Sequence, residues 1–130
     1  MATWDDVRDL AMALPEVEET TRWGNRTWAV RRGFVWERPL RAKEIEEVGE
    51  QSGPILGARV AHEHAKQALL AEDVGVFFTV SHFDGYPAVL VRLDRITRRR
   101  LEELVVSAWC EVAPHRAVAQ YLQEHPSTLE

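Results

Sequence analysis

The sequence predicts an α+β domain, a two-layer α/β sandwich in which helices pack on one face of an antiparallel sheet. Three observations support this fold class. Helical periodicity occurs at both ends of the chain, two-residue alternation occurs between them, and glycine-containing turns join the alternating segments in pairs. The 130 residues lie in the middle of the single-domain range, so we expect residues 1–130 to share one core.

The first helix is predicted to begin at its N-cap, Thr3, and to end before Pro15, which cannot continue a helix. Its apolar residues recur at helical spacing and form one stripe: Trp4, Val7, Leu10, Ala11 and Leu14. We expect this stripe to dock the helix on the rest of the fold.

A β-hairpin is predicted next, with strands over 26–31 and 34–38 and a turn at Arg32-Gly33. Strict alternation would place Phe34 and Trp36 on the same face of the second strand. Between this hairpin and the next, the sequence predicts a polar helix over 41–50, a strand over 55–61 and a helix over 62–71.

A second hairpin is predicted from two apolar strands, Val76–Val80 and Ala88–Leu93. The polar segment between them contains Asp84-Gly85, which is a strong turn signal. We therefore expect these two strands to pair in antiparallel fashion.

The best helix pattern begins at Thr97, a predicted N-cap, and a last helix is predicted to begin near Pro114. Arg98, Arg99 and Arg100 occupy the first turn, where each exposed cation costs about 0.3–1 kcal/mol against the helix dipole. Free N–H groups beside three guanidiniums suit an anion such as phosphate. Acidic residues of neighbouring elements would neutralise these arginines equally well.

The charge of the chain is unevenly distributed. The net charge of −5 argues against a protein that coats nucleic acid with its whole surface. Residues 22–41 nevertheless contain six arginines and residues 92–100 contain five, with one acidic residue in each stretch. Arginine suits phosphate and carboxylate, although charge runs of this kind are also typical of solvated faces.

We expect a cytoplasmic, monomeric protein that does not enter membranes. The acidic start of the sequence lacks the pattern of a signal peptide, and no apolar run approaches the roughly 18 residues that span a bilayer. Cys110 is the only cysteine, so no intrachain disulfide can form.

No catalytic residues, metal or cofactor are expected. His62 and His64 would lie on different faces of a helix, and no third ligand is near them in sequence. Nothing local supplies Cys110 with a general base. The glycines at 53–57 lack the Lys-Ser/Thr of a phosphate-binding loop. These patterns indicate a binding protein and not an enzyme.

The turn that contains His82, Asp84 and Tyr86 has the best cluster of polar side chains. These residues could contact a ligand or form a proton-transfer pair. In the structural alternative, Asp84 caps the turn, His82 bonds a backbone carbonyl and Tyr86 packs over Pro87.

Several segments together resemble a known family. The run His82–Leu93, Ala108-Trp109 with Ala113-Pro114, and the early Leu14–Glu19 with Trp23-Gly24 resemble the MmcQ/YjbR family of small bacterial proteins. The resemblance covers nearly the whole chain. It implies a two-layer α/β sandwich of the CyaY-like type and DNA binding through strands arranged as a double wing, and it implies no catalytic residues.

Two binding functions follow as hypotheses. In the first, the protein binds DNA, and two arginine groups contact phosphates: Arg26, Arg31 and Arg32 of the hairpin, and Arg98, Arg99 and Arg100 of the helix start. This hypothesis requires both groups to lie on one face. In the second, the sheet face and the His82–Tyr86 turn bind a protein or a small ligand.

Overall fold

The computed structural model describes residues 1–126. The strands are β1 (Glu18–Arg22), β2 (Asn25–Val30), β3 (Arg32–Glu37), β4 (Ile55–Arg59), β5 (Phe77–Phe78) and β6 (Ala88–Arg92). The helices are α1 (Trp4–Met12), α2 (Ala42–Val48), α3 (Glu63–Glu72), α4 (Arg98–Cys110) and α5 (His115–Glu124). The strands form one sheet in the order β1-β2-β3-β4-β6-β5, with every neighbouring pair antiparallel. The predicted α+β class is confirmed.

The main core lies between the sheet and helices α1, α4 and α5. Trp28 of β2, Phe34 of β3 and Trp109 of α4 are completely buried there. The indole N–H of Trp109 donates to the carbonyl oxygen of Pro15 at 3.1 Å, so this large ring is buried without an unsatisfied polar atom. A smaller apolar cluster lies on the opposite face of the sheet. It includes Val48 of α2 and Phe83 of the segment that precedes β6.

The predicted N-caps position α1 and α4. Thr3 Oγ1 accepts from the backbone N–H of Asp6 at 3.2 Å, while Asp6 Oδ2 accepts from the backbone N–H of Thr3 at 2.9 Å. This reciprocal pair is a capping box. Thr97 Oγ1 accepts from the backbone N–H of Arg100 at 3.1 Å in the same way.

The first hairpin forms, but its turn lies at Arg31 and not at the predicted Arg32-Gly33, which belong to β3. An irregularity in β3 also changes which residues share a face. Trp28 pairs with Val35, and the register then shifts by one residue. Phe34 and Val35 both contribute to the main core, whereas Trp36 packs on the opposite face. The prediction that Phe34 and Trp36 share a face is therefore wrong, because a bulge interrupts the alternation. The chain reverses at Arg31, where φ is 66°.

The two edges of the sheet are the parts that the sequence patterns describe least well. Strand β1 has no apolar alternation, because its residues are Glu-Glu-Thr-Thr-Arg and it pairs with β2 alone. Strand β5 is confined to Phe77–Phe78 and is shorter than predicted. It pairs with β6 in antiparallel fashion, as predicted. Within residues 1–126, no helix is long and apolar enough to cross a bilayer.

Candidate anion-binding site on the open face of the sheet

Four of the six arginines that the sequence singled out lie at the ends of α4: Arg32 at one end, and Arg98, Arg99 and Arg100 at the other. Arg32 Nη2 donates at 3.1 Å to the carbonyl oxygen of Glu111, the residue that caps the C-terminus of α4. Arg98–Arg100 form the first turn of the same helix. Because α4 has 13 residues, its two ends are about 20 Å apart. The structure therefore keeps Arg32 apart from Arg98–Arg100, whereas Arg26 lies over Trp4 of α1, the helix whose Asp6 pairs with Arg98.

Acidic residues of neighbouring elements neutralise half of these arginines. The ion pairs are Arg26–Glu37 (3.0 Å), Arg98–Asp6 and Arg100–Glu72 (2.8 Å). The hydrogen bonds to Glu72 raise the pKa of Arg100, so this guanidinium is charged but already bound. Arg31 and Arg99 are exposed and form no ion pair within the described part of the chain.

A cleft of about 420 Å³ lies on the open face of the sheet, opposite the main core. Small-molecule sites commonly have volumes of about 300–1,000 Å³. The β1–β2 turn, β2, β3, the end of β4, the segment before α2 and residues 82–86 contribute its lining. We call this feature the open-face cleft.

Two glycines shape the floor of the open-face cleft. A Cβ atom at Gly57 would lie 2.5 Å from the indole of Trp36, so glycine lets this ring lie directly against β4. A Cβ atom at Gly33 would lie 2.8 Å from Cγ2 of Thr27. Both distances are too short for any side chain without movement of a neighbour. Gly33 thus leaves room beside Thr27 in the lining, and Gly57 leaves room for the ring of Trp36.

Three arginines of the lining form no ion pair among residues 1–126: Arg22, Arg41 and Arg59. The charge of Arg41 nevertheless helps to lower the pKa of Glu44. Arg22 Nη2 donates to the carbonyl oxygen of Arg31 at 2.8 Å, and Arg59 Nε donates to that of Gly33 at 3.1 Å. These bonds orient the two guanidiniums without cancelling their charge. The cleft therefore concentrates positive charge in a chain whose net charge is −5.

A fourth arginine of the lining, Arg38, belongs to a buried ion pair. Its guanidinium donates to both oxygens of Glu44, at 2.9 and 2.7 Å. These bonds from Arg38 hold the pKa of Glu44 below its usual range. Glu44 also accepts from the backbone N–H of Arg41 at 2.9 Å. The pair thus fixes the segment that carries Arg41.

The turn before β6 places two of its three predicted ligand-contact residues in the cleft. His82 and Tyr86 line it, and Asp84 does not. Asp84 (φ −59°, ψ 127°) and Gly85 (φ 75°) form the centre of a type II turn, and the backbone N–H of Tyr86 donates to the carbonyl oxygen of Phe83 at 3.0 Å. Tyr86 packs edge-to-face on Phe83, with ring centroids 5.6 Å apart.

A buried lysine that the sequence patterns did not single out stabilises the same turn. Lys66 of α3 is buried, and its Nζ donates to the carbonyl oxygens of Phe83 (2.6 Å) and Tyr86 (3.0 Å). Glu47 of α2 accepts from the backbone N–H (2.9 Å) and the hydroxyl (2.8 Å) of Ser81. A lysine in a polar helix gives no local signal that it lies under a distant turn.

The residues considered for metal or nucleophilic chemistry have structural contacts. Within residues 1–126, no group of three or more His, Cys, Asp or Glu side chains is arranged to hold a metal ion. His62 Nδ1 accepts from the backbone N–H of Ala65 at 3.1 Å and caps α3. Cys110 is half-buried, and this burial raises the pKa of its thiol.

The fold and the cleft define a class of small α+β domain with a basic cleft on the open face of its sheet. Uncharacterized proteins of Mycobacterium tuberculosis (Rv2570) and Mycobacterium bovis (Mb2600) are each 47% identical to this chain over 128 residues. The matches cover 94% of this chain and 97% of each relative. The chain belongs to the family of these mycobacterial proteins.

The fold also matches a solved structure. The crystal structure of Deinococcus radiodurans protein DR2400, which has a DUF419 domain, matches with a TM-score of 0.67 and 20% identity. The match covers 95% of this chain and 88% of the DR2400 chain. At this identity the likeness concerns the fold alone. No known family model matches the chain.

Proposed function

We propose that this protein is a non-catalytic binding module whose open-face cleft takes a phosphate-bearing ligand. One observation carries the proposal: Arg22 and Arg59 line the same cleft and form no ion pair in residues 1–126, and Arg41 adds a third guanidinium there. Guanidinium groups bind phosphate oxygens through paired, charge-assisted hydrogen bonds. His82 adds a further polar group from the turn before β6.

The lining favours binding over catalysis. Its carboxylate, Glu37, accepts from the backbone N–H (2.7 Å) and the Nε (3.0 Å) of Arg26. Both oxygens of this carboxylate are therefore occupied by donors of Arg26. The hydroxyl of Thr27 donates to the carbonyl oxygen of Asn25 at 3.3 Å, and no described contact links it to a base.

Membership of the MmcQ/YjbR family and a cytoplasmic location are part of this proposal. The resemblance of the run His82–Leu93 and the DUF419 domain of the structural neighbour support the family. The single cysteine, Cys110, agrees with a reducing compartment.

Calorimetric titration of the full chain with inorganic triphosphate tests the proposal. A charge-assisted hydrogen bond contributes about 1.5–3 kcal/mol, so Arg22→Gln and Arg59→Gln should each weaken binding by roughly tenfold or more. Arg99→Gln is the matched control, because Arg99 is exposed and lies outside the cleft. Thermal melting of each variant checks its fold. No binding by the wild type at low salt, or an equal loss in the control, would contradict the proposal.

Duplex DNA binding is a second candidate function, and the exposed, unpaired side chains of Arg31 and Arg99 favour it. The contacts would be drawn from the set predicted from the sequence, Arg26, Arg31, Arg32, Arg98, Arg99 and Arg100, of which only arginines that share a face can contact one duplex together. If four phosphates are neutralised, log affinity should fall with log salt at a slope of about −3.6. Arg31→Glu and Arg99→Glu should each weaken binding, because neither side chain forms an ion pair that the change would break. Binding that is undetectable at low salt, or insensitive to salt, excludes this function.

A further inference from the structure

Trp23 is exposed to an unusual degree for a large aromatic residue. It is 98% exposed, more than any other large apolar residue in the described part of the chain, and it lines the open-face cleft. An indole in water forgoes the favourable burial of one of the largest apolar side chains. Its place on the cleft therefore needs a reason other than packing.

The backbone at Trp23 is also unfavourable for this residue. Trp23 has φ 55° and Gly24 has φ 80°, so both central residues of the β1–β2 turn are left-handed. Such hairpin turns favour Asn-Gly, and a bulky residue with positive φ is an outlier. The side chain of Asn25 donates to the carbonyl oxygen of Trp23 at 3.3 Å and supports the turn. Strain of this kind, with an exposed indole, is characteristic of functional positions.

The opposite side of the open-face cleft is also aromatic. Trp23 comes from the β1–β2 turn, whereas Phe83 and Tyr86 come from the turn before β6, several strands away. Tyr86 is 42% exposed, so its ring is accessible to a ligand. Aromatic rings with free faces stack on planar ligands, and the guanidiniums of Arg22 and Arg59 belong to the same lining.

We infer that the ligand is a small anion that carries a planar ring, of the size and chemistry of a mononucleotide. This inference rests on the proposed phosphate-binding function. In it, Trp23 stacks on the ring while Arg22 and Arg59 hold the phosphate groups. Trp23 is then the residue that distinguishes a ring-bearing anion from a simple polyphosphate.

The test compares adenosine triphosphate with inorganic triphosphate, titrated calorimetrically into the full chain without divalent cations. Adenosine triphosphate should bind roughly tenfold or more tightly, from stacking of the base. Trp23→Ala should remove this advantage and leave the affinity for triphosphate unchanged. Trp23→Phe should retain most of the advantage. Val74→Ala, at another exposed apolar residue, is the matched control and should change neither affinity.

The outcomes separate this inference from the proposed function. Equal affinities for the two probes overturn the inference and leave phosphate binding intact. An advantage that survives Trp23→Ala overturns the role of Trp23. Binding of neither probe overturns both the inference and the proposed function. Binding of an oligothymidylate strand without binding of adenosine triphosphate overturns a ligand of mononucleotide size.

Discussion

Two buried charged side chains, Lys66 and Glu44, support the walls of the open-face cleft. They are 2% and 4% exposed, and the burial of a charge is costly unless the group is paired. Lys66 donates to two carbonyl oxygens of the turn before β6, and Glu44 accepts from Arg38 and from the segment before α2. Each residue thus satisfies its polar group by fixing a loop that lines the cleft.

Lys66→Met should lower the free energy of unfolding by about 1–3 kcal/mol, because the carbonyl oxygens of Phe83 and Tyr86 lose their donor. Urea denaturation measures the loss, and amide hydrogen exchange should show faster opening at residues 81–86. Lys43→Met is the control, since Lys43 is the other lysine of the chain and is exposed. An unchanged exchange rate in the turn would contradict the role of Lys66.

Glu44→Gln should destabilise the protein at neutral pH by about 3 kcal/mol, because it leaves Arg38 buried without its partner. The pKa of Glu44 is lowered in the folded state. Its stabilisation is therefore present above the unfolded pKa, and it is lost as the pH falls through the folded pKa. Urea denaturation at pH 7 and at progressively more acidic pH should show that the difference in unfolding free energy between wild type and variant becomes smaller. Glu46→Gln, a change at an exposed residue of the same helix, should show no pH-dependent difference in unfolding free energy from the wild type.

At the scale of elements, the N-terminus of α4 shows how an unfavourable local sequence is accommodated. Three arginines occupy the positive end of the helix dipole, where anions are preferred. Asp6 of α1 and Glu72 of α3 provide carboxylates for Arg98 and Arg100. Arg99 has no ion-pair partner in residues 1–126, so no ion pair offsets its unfavourable interaction with the helix dipole.

Arg99→Glu should therefore raise the free energy of unfolding by about 0.3–1 kcal/mol, because an acid replaces an unpaired cation in the first turn of α4. Arg98→Glu is the contrasting variant. It gains the same favourable interaction with the helix dipole, but it loses the ion pair with Asp6 and places two carboxylates side by side. Thermal denaturation at low salt compares the two variants. Destabilisation by Arg99→Glu would show that Arg99 has a stabilising contact.

At the scale of the whole molecule, the open-face cleft is more basic than the chain as a whole. The chain carries a net charge of −5, yet the open-face cleft collects arginines from β1, β4 and the segment before α2. A cleft with walls of low dielectric focuses the field of such charges on an anion. We therefore expect the cleft to attract an anion although the chain as a whole is acidic.

Inorganic triphosphate at about 100 times its dissociation constant should stabilise the folded protein by about 2.7 kcal/mol, because it binds the folded state alone. For a domain of this size, the melting temperature should rise by roughly 5 °C or more. The rise should shrink as sodium chloride is increased, since salt screens the arginines. The double variant Arg22→Gln, Arg59→Gln should lose the shift. An equal rise in melting temperature in that variant would show that the anion binds outside the open-face cleft.

Local patterns determined most of the fold. The cap at Thr3 and the stripe from Trp4 to Leu14 define α1, and Thr97 defines the start of α4. Turn chemistry predicted the hairpin of β5 and β6, whereas in the hairpin of β2 and β3 it placed the turn at Arg32-Gly33 instead of Arg31. These features depend on residues a few positions apart, so the sequence determines them without knowledge of the rest of the fold.

Only the tertiary structure decided which charged side chains form ion pairs and which line the cleft. Arg98 meets Asp6 across 92 positions of sequence, and Arg92 Nε donates to Gln51 across 41. The turn at His82–Tyr86 was a candidate from its sequence, whereas Arg59 became one when β4 placed it beside the first hairpin. Charge pairing and cleft formation depend on sheet register and on the bulge in β3. Those long-range contacts leave no signature within the short windows in which helices and turns are recognised.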